Sequence, residues 1–129
     1  MSTQLDTMSR KQKATSFLEM ASAGWVDKAY RDYLTEDFRH HNPFFPAETE
    51  ALAGGMKEDA AAHPYKVFEV QRALEDGDLV AVHSRVRQRP EGPDTAVVHI
   101  LRFEGDRVAE LWDVATPVPE DLPNRNGAF

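Results

Sequence analysis

His99 and Asp113 are the two residues in this chain best suited to move a proton. Each interrupts a run of Val, Ile, Leu, Phe and Trp within Thr95 to Thr116, T-A-V-V-H-I-L-R-F-E-G-D-R-V-A-E-L-W-D-V-A-T. A carboxylate among apolar side chains loses hydration, which raises its proton affinity toward the range a general base needs near neutral pH. An imidazole beside it can protonate a developing oxyanion or orient the carboxylate. Such a pair suits removal of a proton next to a carbonyl group. The competing reading of each is structural. An Asp at a strand end can be satisfied by backbone or Arg, and a core His can donate to a backbone carbonyl.

The two act together only if they face one pocket, and that depends on the strands carrying them. The stretch reads as a β-hairpin turning at Glu104-Gly105-Asp106. With a two-residue Gly105-Asp106 loop and regular pairing, His99 falls opposite Trp112, and His99 and Asp113 point to different faces. A three-residue loop, or a bulge before Asp113, restores a common face. The residues leave both registers open.

A second tier of candidates would line a binding cavity. His83 alternates with Ala81 and Leu79, so these three share a face while Val80, Val82 and Val86 take the other; the expectation places His83 inward. The Val set would then form an outer face suited to a dimer. His40 and His41 are adjacent and point opposite ways on a strand. Asn42 precedes Pro43, a turn signal. Trp25, Tyr30, Phe38, Phe44, Phe45 and Trp112 supply aromatic surface for a planar ligand, or simply core packing. The substrate-binding set drawn from these is His41, Asn42, His83, Trp25, Tyr30, Phe44, Phe45 and Trp112. No H-x-x-x-H or H-E-x-x-H occurs, so no metal site is expected. No phosphate-binding Gly loop or G-x-S-x-G supports nucleotide binding or serine hydrolysis.

Composition narrows the field. With 129 residues the chain has the length of one domain. The net charge of −7, with Lys and Arg scattered, argues against nucleic acid and anionic membranes as partners. There is no Cys, which removes disulfides and thiolate chemistry and makes a cytoplasmic location the expectation. No apolar run reaches membrane-spanning length.

The elements follow from periodicity. Residues 1–8 read as a flexible tail. Helices are expected over Ser9 to Ala23, with Gly24 ending the first, over Val26 to Leu34, and over Glu50 to Ala62 with Thr49 as its cap. Gly54-Gly55 weakens the third helix and invites a break. A short strand is expected around Phe38 to His41, then strands over Lys66 to Leu74 and Leu79 to Gln88, then the hairpin. Residues 117–129 read as an extended tail docked through Phe129. Helices followed by long antiparallel strands make a segregated α+β pattern.

H-N-P-F at His41 to Phe44, D-G-D-L-V-A-V-H at Asp76 to His83, E-L-W-D-V at Glu110 to Val114 and the closing N-G-A-F resemble the SnoaL-like polyketide cyclase family of the NTF2-like superfamily. The resemblance spans nearly all of residues 1–129 and implies an α+β cone, with N-terminal helices packed on a curved antiparallel sheet enclosing a cavity. It implies cofactor-free and metal-free aldol cyclisation or isomerisation of a small hydrophobic carbonyl compound. Asp113 and His99 match the family's reacting residues on the last two strands. A homodimer is expected. The alternatives are a non-catalytic ligand-binding dimer, and epoxide hydrolysis, for which only fragments of a water-positioning polar set are present.

Overall fold

The computed structural model describes residues 5 and 7–129. The elements run α1 (Arg10–Ser22), α2 (Val26–Tyr33), β1 (Leu34–His40), α3 (Thr49–Ala62), β2 (Val67–Asp76), β3 (Leu79–Arg87), β4 (Thr95–Glu104) and β5 (Arg107–Pro117). The flexible tail expected over residues 1–8 lies largely outside the described residues, although Leu5 and Met8 pack against the core.

Local chemistry sets the helix ends. Ser9 Oγ accepts from the Gln12 amide at 3.1 Å, and Gln12 Oε1 accepts from the Ser9 amide at 2.8 Å. This capping box satisfies two otherwise orphaned donors and contributes about 1 kcal/mol. Gly24, at φ 96°, supplies the left-handed turn that ends α1. The third helix departs from expectation twice. Glu48, not Thr49, is its N-cap, and the Thr49 hydroxyl instead donates to Phe38 O at 3.3 Å. Gly54-Gly55 causes no break, because the helix is continuous through both.

The sheet has five strands in the order β1-β5-β4-β3-β2. Three antiparallel pairings join β2 to β5, but β1 lies parallel to β5, so the sheet is mixed rather than wholly antiparallel. The helices cover one face. There Phe17, Leu18, Val80, Val82, Leu101, Phe103, Val108 and Leu111 form the core. Each fully buried Phe, Leu or Val contributes roughly 1.5–3 kcal/mol. Arg10 fastens α1 to two hairpin tips, donating to Gly77 O at 2.9 Å and to Gly105 O at 2.8 Å.

This packing corrects the face assigned to β3. Val80 and Val82 are fully buried beneath the helices, with Ser84 beside them. Leu79, Ala81, His83 and Arg85 therefore look outward. The β-branched set is the inward one because the helix-covered face is the dry one. The C-terminal residues fold back over the outer face. Val118 N donates to Asp94 O at 2.9 Å, and the Phe129 ring stacks on His83 at 5.8 Å with the Arg85 guanidinium 4.8 Å from its centroid. Among the described residues no helix is long and apolar enough to cross a membrane.

Candidate active site

The last hairpin has a two-residue Gly105-Asp106 loop, yet His99 pairs directly with Asp113. The reason is a bulge. Glu104 pairs with Arg107 and Phe103 with Val108, but Arg102 pairs with Glu110, so Ala109 is the extra residue. The register shift lies between Arg102 and Phe103 and leaves Ala109 without a partner on β4, as a bulge requires. From Glu110 onward the strand is shifted by one, and Asp113 faces the same side as His99. Opposed residues on one face have Cβ atoms about 4.5–5.5 Å apart.

That side opens into a cavity of about 330 Å³ between the sheet, α1 and α3. Its apolar walls include Leu18, Leu52, Met56, Phe45, Phe68 and Val97. The polar groups are few: His99, Asp113, Asn42, Ser22, Asp59 and Lys66. The volume is near the lower end of the range of about 300–1,000 Å³ typical of small-molecule pockets. Two larger hollows lie elsewhere on the surface, one beside Tyr30 and Arg107 and one along α1. Neither brings an imidazole and a carboxylate together.

Asp113 is held from one side. Asn42 Nδ2 donates to its Oδ2 at 2.8 Å, while Asn42 Oδ1 accepts from the Phe44 amide at 2.9 Å. The amide is thereby fixed in one orientation, and Oδ1 of Asp113 remains for a ligand. Behind Asn42 stands His40, which is buried. Its Nε2 donates to Pro46 O at 2.9 Å, and its Nδ1 accepts from the Asn42 backbone amide at 3.1 Å. A carbonyl can only accept, so the proton sits on Nε2 and the ring is neutral in this arrangement. His40 thus pins both ends of the Asn42–Pro46 loop.

His99 is neutral for a different reason. Burial, partly offset by the Asp113 carboxylate and reinforced by the Lys66 ammonium, pushes its pKa down to about 4. Its Nδ1 is buried with no hydrogen-bond partner.

The structure separates the residues grouped by the sequence. His99, Asp113, Asn42 and Phe45 line the cavity. Trp112 pairs with Ile100 on the outer face, and His41 stacks on it at 5.0 Å while meeting Glu110 Oε2 at 2.6 Å. Both are excluded by strand parity, since they neighbour inward-facing residues. His83 lies outside as well, as described above. Trp25 is 65% exposed at the start of α2, and Phe44 is 86% exposed. Tyr30 packs between Phe17 and Phe38 at 6.0 Å from each, and its hydroxyl donates to Met56 Sδ. Asp59, Lys66 and Phe68 also line the cavity and are absent from the set drawn from the sequence; alternation along the strand from Lys66 puts Lys66 and Phe68 on one face, but nothing in the sequence says that this face is the inward one.

A Cβ on Gly55 would stand 2.3 Å from Phe45 Cε1, so the ring lies against bare helix backbone at the cavity mouth. Gly55→Ala is expected to leave stability unchanged or raise it by up to about 1 kcal/mol, since Ala is the better helix former and the ring can swing outward. Displacing the ring should weaken binding of an apolar fluorescent probe to the cavity. Thermal unfolding and a fluorescence titration check the two effects.

The model of the SnoaL-like domain matches residues 14–111. The chain belongs to the SnoaL-like family. The fold is NTF2-like, an α+β arrangement of three helices on a five-stranded mixed sheet that is not closed. Among solved structures it is similar to an uncharacterized cystatin-fold protein from Novosphingobium aromaticivorans, with 23% identity over 83% of this chain and 98% of that one, at a TM-score of 0.68. It is also similar to IdmH, a candidate polyketide cyclase from Streptomyces antibioticus, with 19% identity, 84% and 92% coverage and a TM-score of 0.68. A third is AclR, a candidate hydroxylase from Streptomyces galilaeus, with 21% identity, 84% and 81% coverage and a TM-score of 0.64. At these identities the likeness is one of fold. No curated protein sequence matches the chain.

Proposed function

We propose that this SnoaL-like protein is a cofactor-free acid/base enzyme acting on a small hydrophobic carbonyl compound, by aldol cyclisation or isomerisation. The observation that carries this reading is the carboxylate of Asp113 and the neutral imidazole of His99, paired across two strands in one apolar cavity. Asp113 takes a proton from the carbon next to the carbonyl, and the electron pair moves to the carbonyl oxygen. In a cyclisation the enolate carbon bonds to a second carbonyl carbon of the same molecule, and the new alkoxide recovers the proton from Asp113. In an isomerisation Asp113 returns it to a different carbon. His99, as a neutral N–H donor, hydrogen-bonds the oxygen on which charge develops, the use a neutral imidazole serves in triosephosphate isomerase. Asn42 keeps the carboxylate aimed at the cavity. The relatives described as a candidate cyclase and a candidate hydroxylase fit small-ligand chemistry in this fold, which alone does not specify a reaction. The test is α-proton exchange: 2-tetralone in D2O with the protein, followed by NMR, should lose its C1 protons faster than in buffer. No acceleration overturns the reading for this class of ketone.

A second copy of the chain is the proposed partner on the outer sheet face. Leu74, Ala81, Ile100 and Trp112 lie in register across four strands, with Val98 and Val114 in the next row. Leu74 is 66% and Val114 70% exposed. A continuous apolar band of this kind marks an interface. Ile100→Glu should convert a dimer to a monomer in sedimentation velocity; a wild-type protein that is already monomeric at high concentration contradicts the pairing.

A further inference from the structure

The cavity has a second charged wall that the acid/base pair does not use. Lys66 is the residue that enters β2, its backbone fixed by a hydrogen bond from its amide to His63 O at 3.1 Å. Its side chain is only 17% exposed and lines the same cavity as His99 and Asp113. A buried ammonium needs a partner, and Asp59 on α3 supplies one through Oδ2. The other oxygen of Asp59 is also occupied, by Gln88 Nε2 at 3.0 Å and His63 Nδ1 at 3.2 Å. Asp59 is therefore fully engaged, whereas an ammonium has three donors and Lys66 gives one of them to Asp59. The carboxylate of Asp59 serves as an anchor that aims the ammonium.

The arrangement of charge matters more than the ion pair. Asp113 on β5 lies beside His99 on β4, Lys66 enters β2 two strands away on the other side, and all three line one cavity; the charges of both reach the imidazole, in opposite directions. The groups facing His99 are thus an anion, a cation and the apolar ring of Phe68 at 6.3 Å. When a base removes a proton beside a carbonyl, negative charge leaves the base and appears on the carbonyl oxygen. A cation already fixed on the far side of the cavity favours that redistribution without having to reorganise.

We infer that Lys66 is a further ligand-contacting residue of the cavity, which pairs with a negatively charged oxygen of the ligand, so that the preferred ligands are compounds able to form an enolate or phenolate. The inference rests on the proposed acid/base reading for its use in turnover, but the binding preference stands by itself. In the bound state the anionic oxygen lies toward Lys66 and the carbon that loses its proton lies toward Asp113. His99 hydrogen-bonds between the two.

The probe is 4-nitrophenol, whose ionised form is coloured and whose oxygen mimics an enolate. Its titration is followed by absorbance in the presence of the full chain, with displacement by 2-tetralone marking the cavity as its site. Bound to the wild-type protein, it should ionise about one pH unit lower than when bound to Lys66→Met, the effect of an opposite charge at close range. Lys66→Arg, which keeps the cation, should behave as wild type. Lys66→Gln, which keeps a hydrogen-bond donor for Asp59 without charge, should behave as Lys66→Met, and it carries the test if the Met variant does not fold. The same ionisation in wild type, Lys66→Met and Lys66→Gln overturns the inference. So does a wild-type protein that binds the probe with no preference for its ionised form. Asp113→Asn separates this from the base assignment. If Lys66 is right, that variant keeps or strengthens the preference for phenolate, whatever it does to exchange of 2-tetralone. If only the base assignment is right, Asp113→Asn stops exchange while the Lys66 variants leave the probe unmoved.

Discussion

Asp113→Asn should slow the exchange of 2-tetralone α-protons by about 10²- to 10⁴-fold, the range expected when a positioned general base is removed. The protein should remain folded. Asparagine keeps an oxygen at the position where Asn42 Nδ2 now donates at 2.8 Å, so the buried amide stays satisfied. The loss of a charge-assisted bond in favour of a neutral one costs about 1 kcal/mol. Circular dichroism and thermal unfolding should therefore change little while exchange collapses. Asn42→Ala should fall between wild type and Asp113→Asn, because it releases the carboxylate without removing it. Exchange at the wild-type rate in Asp113→Asn would end the assignment of Asp113 as the base. It would not touch the fold, because the core lies beneath the helices and draws nothing from this side chain.

The sequence reveals the elements better than it reveals their faces. Three helices and all five strands are legible from periodicity and turn residues, although β1 begins at Leu34, which periodicity assigns to the second helix, and not near Phe38; Gly24 marks the first helix end through the left-handed turn it allows. Faces are harder, because alternation along a strand identifies two sets without saying which is dry. On β3 the set Val80, Val82 and Val86 can be read as an outer interface, and only the helices packed above it make it core. The hairpin shows a related limit. Nothing in R-V-A-E distinguishes a bulge at Ala109 from regular pairing, yet that one residue decides whether His99 and Asp113 meet. Aromatic residues mislead for another reason. Trp112 and His41 stack on the outer face with Glu110 between Arg102 and His41, a combination that composition cannot tell from a ligand site. The parallel pairing of β1 with β5 has no local signature at all, since it joins the two ends of the fold.

Replacing His99 by Leu should flatten the dependence of stability on pH between about 7 and 5. The folded protein holds this imidazole neutral, with a pKa near 4 in place of 6.5, chiefly because of burial. Between those values the unfolded chain binds a proton at this position and the folded chain does not. Stability therefore rises with pH across that window, and it falls as pH drops from 6.5 toward 4. The full difference of roughly 2.5 pH units corresponds to at most about 3 kcal/mol, and contact with cavity water reduces it. Between pH 7 and pH 5 the wild-type protein should lose up to about 2 kcal/mol more than His99→Leu, measured by urea unfolding at the two values. The ion-paired carboxylates do not confound the comparison. Asp59, held by Lys66 and Gln88 against its own burial, has its pKa lowered, as do Asp94 beside Arg87 and Arg85 and Glu110 beside His41 and Arg102. Groups of that kind keep their stabilising effect above their unfolded values of 3.8 to 4.5 and lose it only at lower pH. The remaining histidines are common to both proteins and cancel. Leu also removes the buried Nδ1 that lacks a partner, so the variant should be no less stable than wild type at pH 7. Parallel curves for the two proteins would mean that the imidazole is not held neutral. An imidazolium beside Asp113 would neutralise the base by ion pairing, and the division of labour between a carboxylate that takes the proton and a neutral ring that hydrogen-bonds the oxygen would fail with it.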